Sequence, residues 1–534
     1  MDSRAVAAQT VKVLFEDDQL LLVEKPAGLR LVEPGSAGSA GAEPIALVLG
    51  RAPLLMVRPL EQHVSGIVVL AKTEEAAARL RKSLATPRSR TDYLAVVRGQ
   101  PRSPRPADRR GRQAGGFSPG VRLVRHRKDL SLVQFRHDSP RTAEVRADLR
   151  SIGLTPLGDV PVDHRTNRRR PAGRLFLHRS RISFPHPATR KTVRVETSEP
   201  RAFQTALAGG DLIEDLLQIA LSSRIGCLVD EGCDSWRLFS GKAEGVPGLV
   251  VEKLGPAIVL QTHQGKFMGD TDRVRRIGKW YARVFGATAV YHKRFIKARG
   301  DADAVADELC DPKPLIGTAV PEELAIREND LRFLVRLYDG YSTGLFLDHR
   351  DNRRRVRKLA VDRRVLNAFA YTCGFSVAAA AGGASQTFSV DISTGSLEWG
   401  KRNFEVNGID PGGHGFIRSE IFDYLKRARR QGLHFDLVIL DAPTFARSKR
   451  PARVFSIATD LPRLIDETLG VLAPGGFVLC STNSRAQSAA WLREQVAAVA
   501  AEAGRRFQIV AAPPLPADFA ADPNYAKTIM VRFP

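Results

Sequence analysis

The chain has 534 residues, with 81 lysines and arginines against 58 aspartates and glutamates, a net charge of +23 and a pI near 10.2. That length suggests two to four domains, each able to bury its own core, and the basic excess points to a polyanionic partner. Five cysteines without a C-x-x-C or a zinc-like spacing predict a reduced, metal-free, cytoplasmic protein, and neither a membrane span of roughly 18 apolar residues nor a basic-then-apolar leader is present in the sequence.

Residues 1–10 read as a short tail. VKVLFEDDQLLLVEK (11–25) predicts two strands around the acidic turn Glu16-Asp17-Asp18 and leads into Pro26-Ala27-Gly28. Pro34 to Gly41 reads as a flexible loop, and SGIVVLAKT (65–73) as a strand feeding the helix EEAAARLRKSL. Between Arg98 and Lys128 stand ten basic residues (Arg98, Arg102, Arg105, Arg109, Arg110, Arg112, Arg122, Arg125, Arg127, Lys128) against one acid, Asp108. A second basic cluster runs through Arg165, Arg168, Arg169, Arg170, Arg174, Arg179 and Arg181, and a third through Arg353, Arg354, Arg355, Arg357 and Lys358. Guanidinium groups pair with phosphates and stack on bases, so the clusters point to nucleic acid rather than to solvated surface.

The order of these segments, with TDYLAVV (91–97), SPRTAEVRADLRSIGLTPLGD (139–159) and RLFLHRSRISFPHP (174–187), resembles RluA-type pseudouridine synthases over residues 11–205. In that family the catalytic loop reads H-R-L-D and its aspartate acts on the nucleotide; here the loop is Arg58-Pro59-Leu60-Glu61, and the later His-Gln pair is Ala143-Glu144. The resemblance implies that Tyr93 stacks on the base and Arg146 pairs with the carboxylate at position 61. Glutamate is one methylene longer, and a displacement of about 1 Å in a positioned group can cost on the order of 100-fold. The expectation is a domain that keeps RNA binding and has lost catalysis; residual Glu61-dependent pseudouridylation is the alternative.

The helix DLIEDLLQIALSSR (211–224) reads as a bridge, and residues 225–318 as a small α/β region that is either a spacer or part of RNA docking. Between Val365 and Asp391 an apolar strand, a turn carrying Tyr371 and Gly374, a small-residue helix and a strand ending in a carboxylate form a nucleotide-binding half-fold. The 17 residues from Gly374 to Asp391 are near the spacing of roughly 20 expected for a glycine turn and a ribose-binding acid. DLVILDAPTF then predicts a third apolar strand ending in Asp441, with a D-x-P-x-F element that suits methyl transfer to a ring nitrogen.

GLFLDHR (344–350), LNAFAYTCG, SVDISTGSLEWGKRNFEVNG (389–408), DAPTFARSKR (441–450) and CSTNS (480–484) occur in that order. Together they resemble the class I S-adenosylmethionine-dependent 23S rRNA methyltransferases of the RlmK/L and RlmI kind over residues 236–534, with the guanine-N7 half of RlmK/L most similar. The resemblance implies S-adenosylmethionine as cofactor, held by Tyr371, Gly374, Asp391 and Asp441, with Glu420 near the adenine and Asp423 as a competing acid. Asp348 and Arg350 are implied beside the methionine end or the entering base; a local surface ion pair is the other reading. Cys373 replaces the family's usual glycine and is expected to crowd the cofactor slightly.

Asp441, Pro443, Thr444, Phe445 and Asn483 are implied around the base, with Phe445 open between base contact and core aromatic. Carbon-5 methylation needs a thiolate to attack the ring first. Asn483 stands where related C5 enzymes carry that cysteine, and Cys480 reads as a buried strand residue. Nitrogen chemistry, at guanine N7, is therefore favoured, on a base that is single-stranded, flipped or remodelled.

The expected fold is a multidomain α/β chain: a 1–10 tail; an N-terminal α+β pseudouridine-synthase-like mixed sheet (11–205); a bridging helix and small α/β region (206–318); and a C-terminal doubly wound, Rossmann-like methyltransferase (319–534). The expected partner is RNA, as 23S rRNA or a pre-ribosomal particle, with neither membrane nor metal. A bifunctional enzyme, a non-catalytic ribosome-assembly factor and a small-molecule methyltransferase are the competing readings, the last disfavoured by the basic clusters.

Overall fold

The computed structural model describes residues 3–31, 44–51, 54–101, 120–139, 141–159, 174–263, 270–295, 311–340, 342–449 and 452–534. The Pro34–Gly41 loop, Arg102 to Arg112 of the first basic cluster and Arg165 to Arg170 of the second lie outside the described residues. Two compact units emerge: 1–230 with 241–250 and 265–287, and 231–240 with 251–264 and 288–534. Residues 206–318 are shared between them and do not form a third domain. Ser3–Thr10 is a helix rather than a tail, because Val6 and Ala7 are buried.

The first unit is built on a mixed sheet in the order Lys12–Glu16, Leu20–Lys25, Ser65–Ala71, Leu177–Pro185, Arg90–Arg98, Leu130–Arg136, Arg122–Arg127. Helix Glu74–Leu84 starts at Thr73, whose side chain accepts from the Ala76 amide, and buries Ala76, Ala77, Leu80 and Leu84. That helical spacing places one apolar stripe against Leu20, Leu22, Ile67, Val69 and Ile182. Each large side chain buried there contributes roughly 1.5–3 kcal/mol.

In the second unit a seven-stranded sheet carries the methyltransferase half: β1 (Arg364–Ala368), β2 (Gln386–Asp391), β3 (Gly415–Arg418), β4 (Phe435–Asp441), β5 (Leu472–Thr482), β6 (Gln508–Ala511) and β7 (Lys527–Arg532), ordered 3-2-1-4-5-7-6. β3, β2, β1, β4 and β5 run parallel, and β7 is antiparallel to both neighbours. Strands with helices on both faces read as continuous apolar runs. Here Leu366, Ala368, Val438, Leu440 and Val478 serve one core, and Val365, Leu437, Ile439 and Leu479 the other. The strand order reverses between β1 and β4, where such sheets leave a crevice at their carboxyl ends.

Two basic clusters are more internal than expected. Arg353 is buried, with Nε 2.6 Å and Nη2 2.8 Å from the Glu328 carboxylate. Arg354 and Arg357 donate to the side chain and backbone of Asn329. In the second cluster Arg179 is fully buried and Arg174 pairs with Asp215 at 2.8 Å. Arginine stems and heads pack inside when carboxylates and carbonyls meet most of their donors, a choice that a charge count does not reveal. By contrast Arg122, Arg125, Arg127 and Lys128 of the first cluster are exposed on an edge hairpin.

Candidate functional site

A cavity of about 310 Å³ opens at the carboxyl ends of β1, β2, β4 and β5, lined among others by Asp348, His349, Phe369, Tyr371, Gly374, Asp391, Asp441, Pro443 and Asn483. It shares the wall residues Phe369, Asp391, Ile392 and Ala446 with an adjoining apolar recess that adds Ser419, Glu420, Ile421 and Phe455.

The turn after β1 is held under strain. Phe369, Tyr371 and Cys373 all have positive φ, at 57°, 48° and 61°. For non-glycine residues this costs of order 1 kcal/mol or more each and persists only where the surroundings impose it. Asp391 is one such constraint: its Oδ2 accepts from the Tyr371 amide at 2.9 Å and its Oδ1 from the Ser393 amide at 2.8 Å. Burial raises its pKa, with the backbone donors opposing the rise.

Cys373 does not crowd the cavity. Its thiol is buried against Gly400, where an added Cβ would overlap it. The left-handed position is therefore Cys373, while Gly374 starts the helix Gly374–Ala381 and its missing side chain leaves room beside Leu345 and Arg353.

Asp348 and His349 sit in a short turn, Leu347–His349, before the helix Arg350–Leu359. The turn aims both side chains at the cavity and sends Arg350 the other way. Arg350 is buried, 3.0 Å from Asp518 and 2.7 Å from the Ser235 carbonyl. The expected place for Arg350 beside the cofactor or base is thus corrected, and so is the surface ion pair, since both residues are buried.

His349, which the motif reading passed over, has Nε2 3.1 Å from Asp441 and 3.7 Å from Asp348. Burial works against its charge, but the two carboxylates outweigh that and raise its pKa. Burial likewise opposes charge on Asp441, yet His349 lowers it overall, whereas burial raises Asp348. Tyr525 also lines the cavity without having been expected. No signal in the sequence separates His349 or Tyr525 from core residues, because both depend on tertiary direction.

Around the acceptor side, the Thr444 hydroxyl donates to Asn483 Oδ1 at 2.9 Å. Phe445 is 52% exposed and so is not a core aromatic. It does not line the cavity, in which Phe346 and Tyr371 form the aromatic contact, 5.5 Å between centroids. Glu420 caps helix Ile421–Arg430 by accepting from the Phe422 and Asp423 amides and borders the apolar recess.

In the first unit, Glu61 Oε2 lies 2.7 Å from Arg146 Nη1, and Arg146 also binds buried Asp159. The expected stacking of Tyr93 on a base is corrected: its ring is fully buried, 5.7 Å from Phe135, and its hydroxyl accepts from Arg179. Arg58, in the family's histidine position, is tied back to Thr91 and the Asp138 carbonyl at 2.6 and 2.8 Å. Buried Lys25 pins the same loop by donating to the carbonyls of Pro26, Leu29 and Gln62.

Comparison with known proteins supports both halves. The RNA pseudouridylate synthase family matches residues 19–151, and the S-adenosylmethionine-dependent methyltransferase family matches residues 296–528. Ribosomal RNA large subunit methyltransferase I of Klebsiella pneumoniae is 31% identical over 297 residues, 56% of this chain and 72% of that protein. Ribosomal RNA large subunit methyltransferase K of Neisseria meningitidis is 43% identical over 164 residues, 31% of this chain and 46% of that protein.

The solved structure of SMU.776 complexed with SAH superposes with a TM-score of 0.53 at 27% identity, covering 66% of this chain and 87% of that one. The cavity fits S-adenosylmethionine, the cofactor of the matched family: a fixed carboxylate at the end of β2, an apolar recess beyond it and a helix N-terminus at Gly374. The chain belongs to the ribosomal RNA large subunit methyltransferases, S-adenosylmethionine-dependent enzymes, and carries an RNA pseudouridylate synthase domain ahead of its methyltransferase domain.

Proposed function

We propose that the protein methylates guanine N7 in large-subunit rRNA, as 23S rRNA or a pre-ribosomal particle in the cytoplasm, and that residues 11–205 bind RNA while residues 319–534 carry the chemistry. The observation that carries the choice of atom is the polar wall at the ends of β4 and β5. Asp441 and Asn483 face the cavity there, while Cys480 is fully buried in β5 and its thiol is pushed up to about 12 by burial and by Asp441. A thiol that stays protonated cannot add to C6 of a pyrimidine to activate C5, whereas guanine N7 has a free lone pair.

Bound S-adenosylmethionine supplies a methyl group already activated on a sulfonium. The protein's task is then to hold donor and acceptor in line and exclude water. Asp391 would take the ribose hydroxyls, Ile392, Ile421 and Phe455 would hold the adenine with Glu420 nearby, and Asp348 would attract the charged methionine end. Tyr371 and Gly374, in the turn that lines the cavity, would help to hold the cofactor. Asp441 and Asn483, the latter held by Thr444, offer the base a hydrogen-bond acceptor and an amide, with Pro443 and Phe445 flanking its approach. Arg98, Arg122, Arg125, Arg127 and Lys128 supply phosphate contacts.

The Glu61–Arg146 pair favours a second reading. A carboxylate at the catalytic register, paired as the family pairs it, is compatible with residual pseudouridylation. Nucleoside mass spectrometry of rRNA from a deletion strain tests both. Loss of 7-methylguanosine alone supports the main reading, simultaneous loss of a pseudouridine the second, and loss of a C5-methylated cytidine refutes the N7 assignment.

A further inference from the structure

Behind Asp441 runs a ring of buried side chains that none of the roles above uses. His349 Nε2 lies 3.1 Å from Asp441 Oδ1. Asn352 Nδ2 lies 3.1 Å from His349 Nδ1 and 3.0 Å from Thr528 Oγ1. Thr528 Oγ1 is 3.2 Å from Ser481 Oγ, which also lies 3.3 Å from the Lys527 carbonyl and helps to lower the Asp441 pKa. The members come from the helix Arg350–Leu359, the turn before it, β4, β5 and β7, so the ring ties the cavity's acceptor wall to the centre of the sheet.

The chemistry of the ring fixes where one proton lies. An amide NH2 facing Nδ1 leaves that nitrogen bare, so the neutral imidazole must carry its proton on Nε2. An imidazolium carries protons on both nitrogens, with the Asn352 amide turned over to present its oxygen. In either state the proton sits on the nitrogen nearest Asp441, 3.1 Å from its Oδ1. The ring plane has little freedom to turn, because it stands edge-on to Phe375 with 5.3 Å between centroids. Asp348 and Arg353 are the other charges facing it.

We infer that His349 is a positioning residue for methyl transfer: its Nε2–H holds the Asp441 carboxylate in the orientation that receives the acceptor base. The inference rests on the reading that Asp441 contacts that base. It assigns a function to the middle residue of the Asp348-His349-Arg350 segment, whose outer members point to the cavity and to the core.

Two substitutions separate positioning from mere packing. The amide nitrogen of glutamine reaches about as far as Nε2, and that of asparagine about as far as Nδ1. His349→Gln therefore retains the contact, whereas His349→Asn removes it and lets the carboxylate move by about 1 Å, for an expected loss on the order of 100-fold in kcat. His349→Gln is expected to stay within about five-fold of wild type, the size of one ordinary hydrogen bond. Methylation is measured with the full-length protein on unmodified rRNA, and calorimetry with S-adenosylhomocysteine is expected to show both variants binding within about three-fold of wild type.

Equal kcat for His349→Asn and wild type overturns the inference, as does a His349→Asn variant that loses cofactor affinity in step with kcat. Should His349→Asn fail to fold, Asn352→Ala removes the ring's support from the far side, and an unchanged kcat there overturns the inference equally. Full activity in Asp441→Asn would instead refute the base-contact reading, separately from the role of His349.

Discussion

Asp391 gives the most direct test of the cofactor site. Its carboxylate already accepts the Tyr371 and Ser393 amides, and the proposed cofactor pose adds two ribose hydroxyls. A hydrogen bond to a charged group contributes roughly 1.5–3 kcal/mol, so losing the ribose pair costs about 3–6 kcal/mol, a factor of about 10² to 10⁴ in Kd. Asp391→Ala also releases the Tyr371 amide and with it the left-handed turn that shapes the cavity, which pushes the effect toward the upper figure. Asp391→Asn keeps one acceptor and belongs between wild type and Asp391→Ala, at roughly 10- to 100-fold. Calorimetric titration of the full chain with S-adenosylmethionine reads both, with a thermal melt to confirm that the variants are folded. A Kd within about three-fold of wild type for Asp391→Ala would refute the assignment of this carboxylate to the ribose.

Gly400→Ala places a methyl group on the buried Cys373 thiol, for an expected destabilisation of about 1–3 kcal/mol by overpacking; combining it with Cys373→Gly should recover most of the loss, and additive effects in urea titrations would exclude the contact. Cys480→Ala leaves a small void in β5 and is expected to lower stability by about 1 kcal/mol while methylation continues, so abolished activity in a folded variant would return the chemistry to carbon. The His349 pKa is raised in the fold, so its stabilising contribution is complete below its unfolded value of about 6.5 and is lost as pH rises through the folded value. The partnering carboxylate of Asp441 has a lowered pKa and contributes above about 3.9, losing that contribution only as pH falls through its folded value. The stability gap between wild type and His349→Asn is therefore expected to be largest between about pH 5 and 6.5 and to shrink as pH rises through the folded value of His349, and a gap that widens with alkalinity would contradict the sign.

What the sequence disclosed, and what it withheld, follows from the range of the interactions involved. The strands VLNAF and DLVIL are continuous apolar runs because both faces of the central sheet are covered, and such a run is visible without any partner. The helix Glu74–Leu84 announces itself through a threonine cap and an apolar stripe at helical spacing. Asp391 and Asp441 are strand-end residues, so strand position alone carries them to the cavity. The misplacements share a different cause. Asp348, His349 and Arg350 are consecutive, yet the change from a tight turn to an α-helix sends them in different directions, and Arg350 is claimed by Asp518, 168 residues on. The arginines at 353, 354 and 357 look like an RNA-binding run, but Glu328 and Asn329 on the preceding hairpin absorb them. Cys373 is the instructive case: its departure from glycine was evident, but its consequence was not. The thiol escapes the cavity only because Gly400, on the next helix, leaves room for it, and that vacancy is a property of two segments packed together rather than of either one.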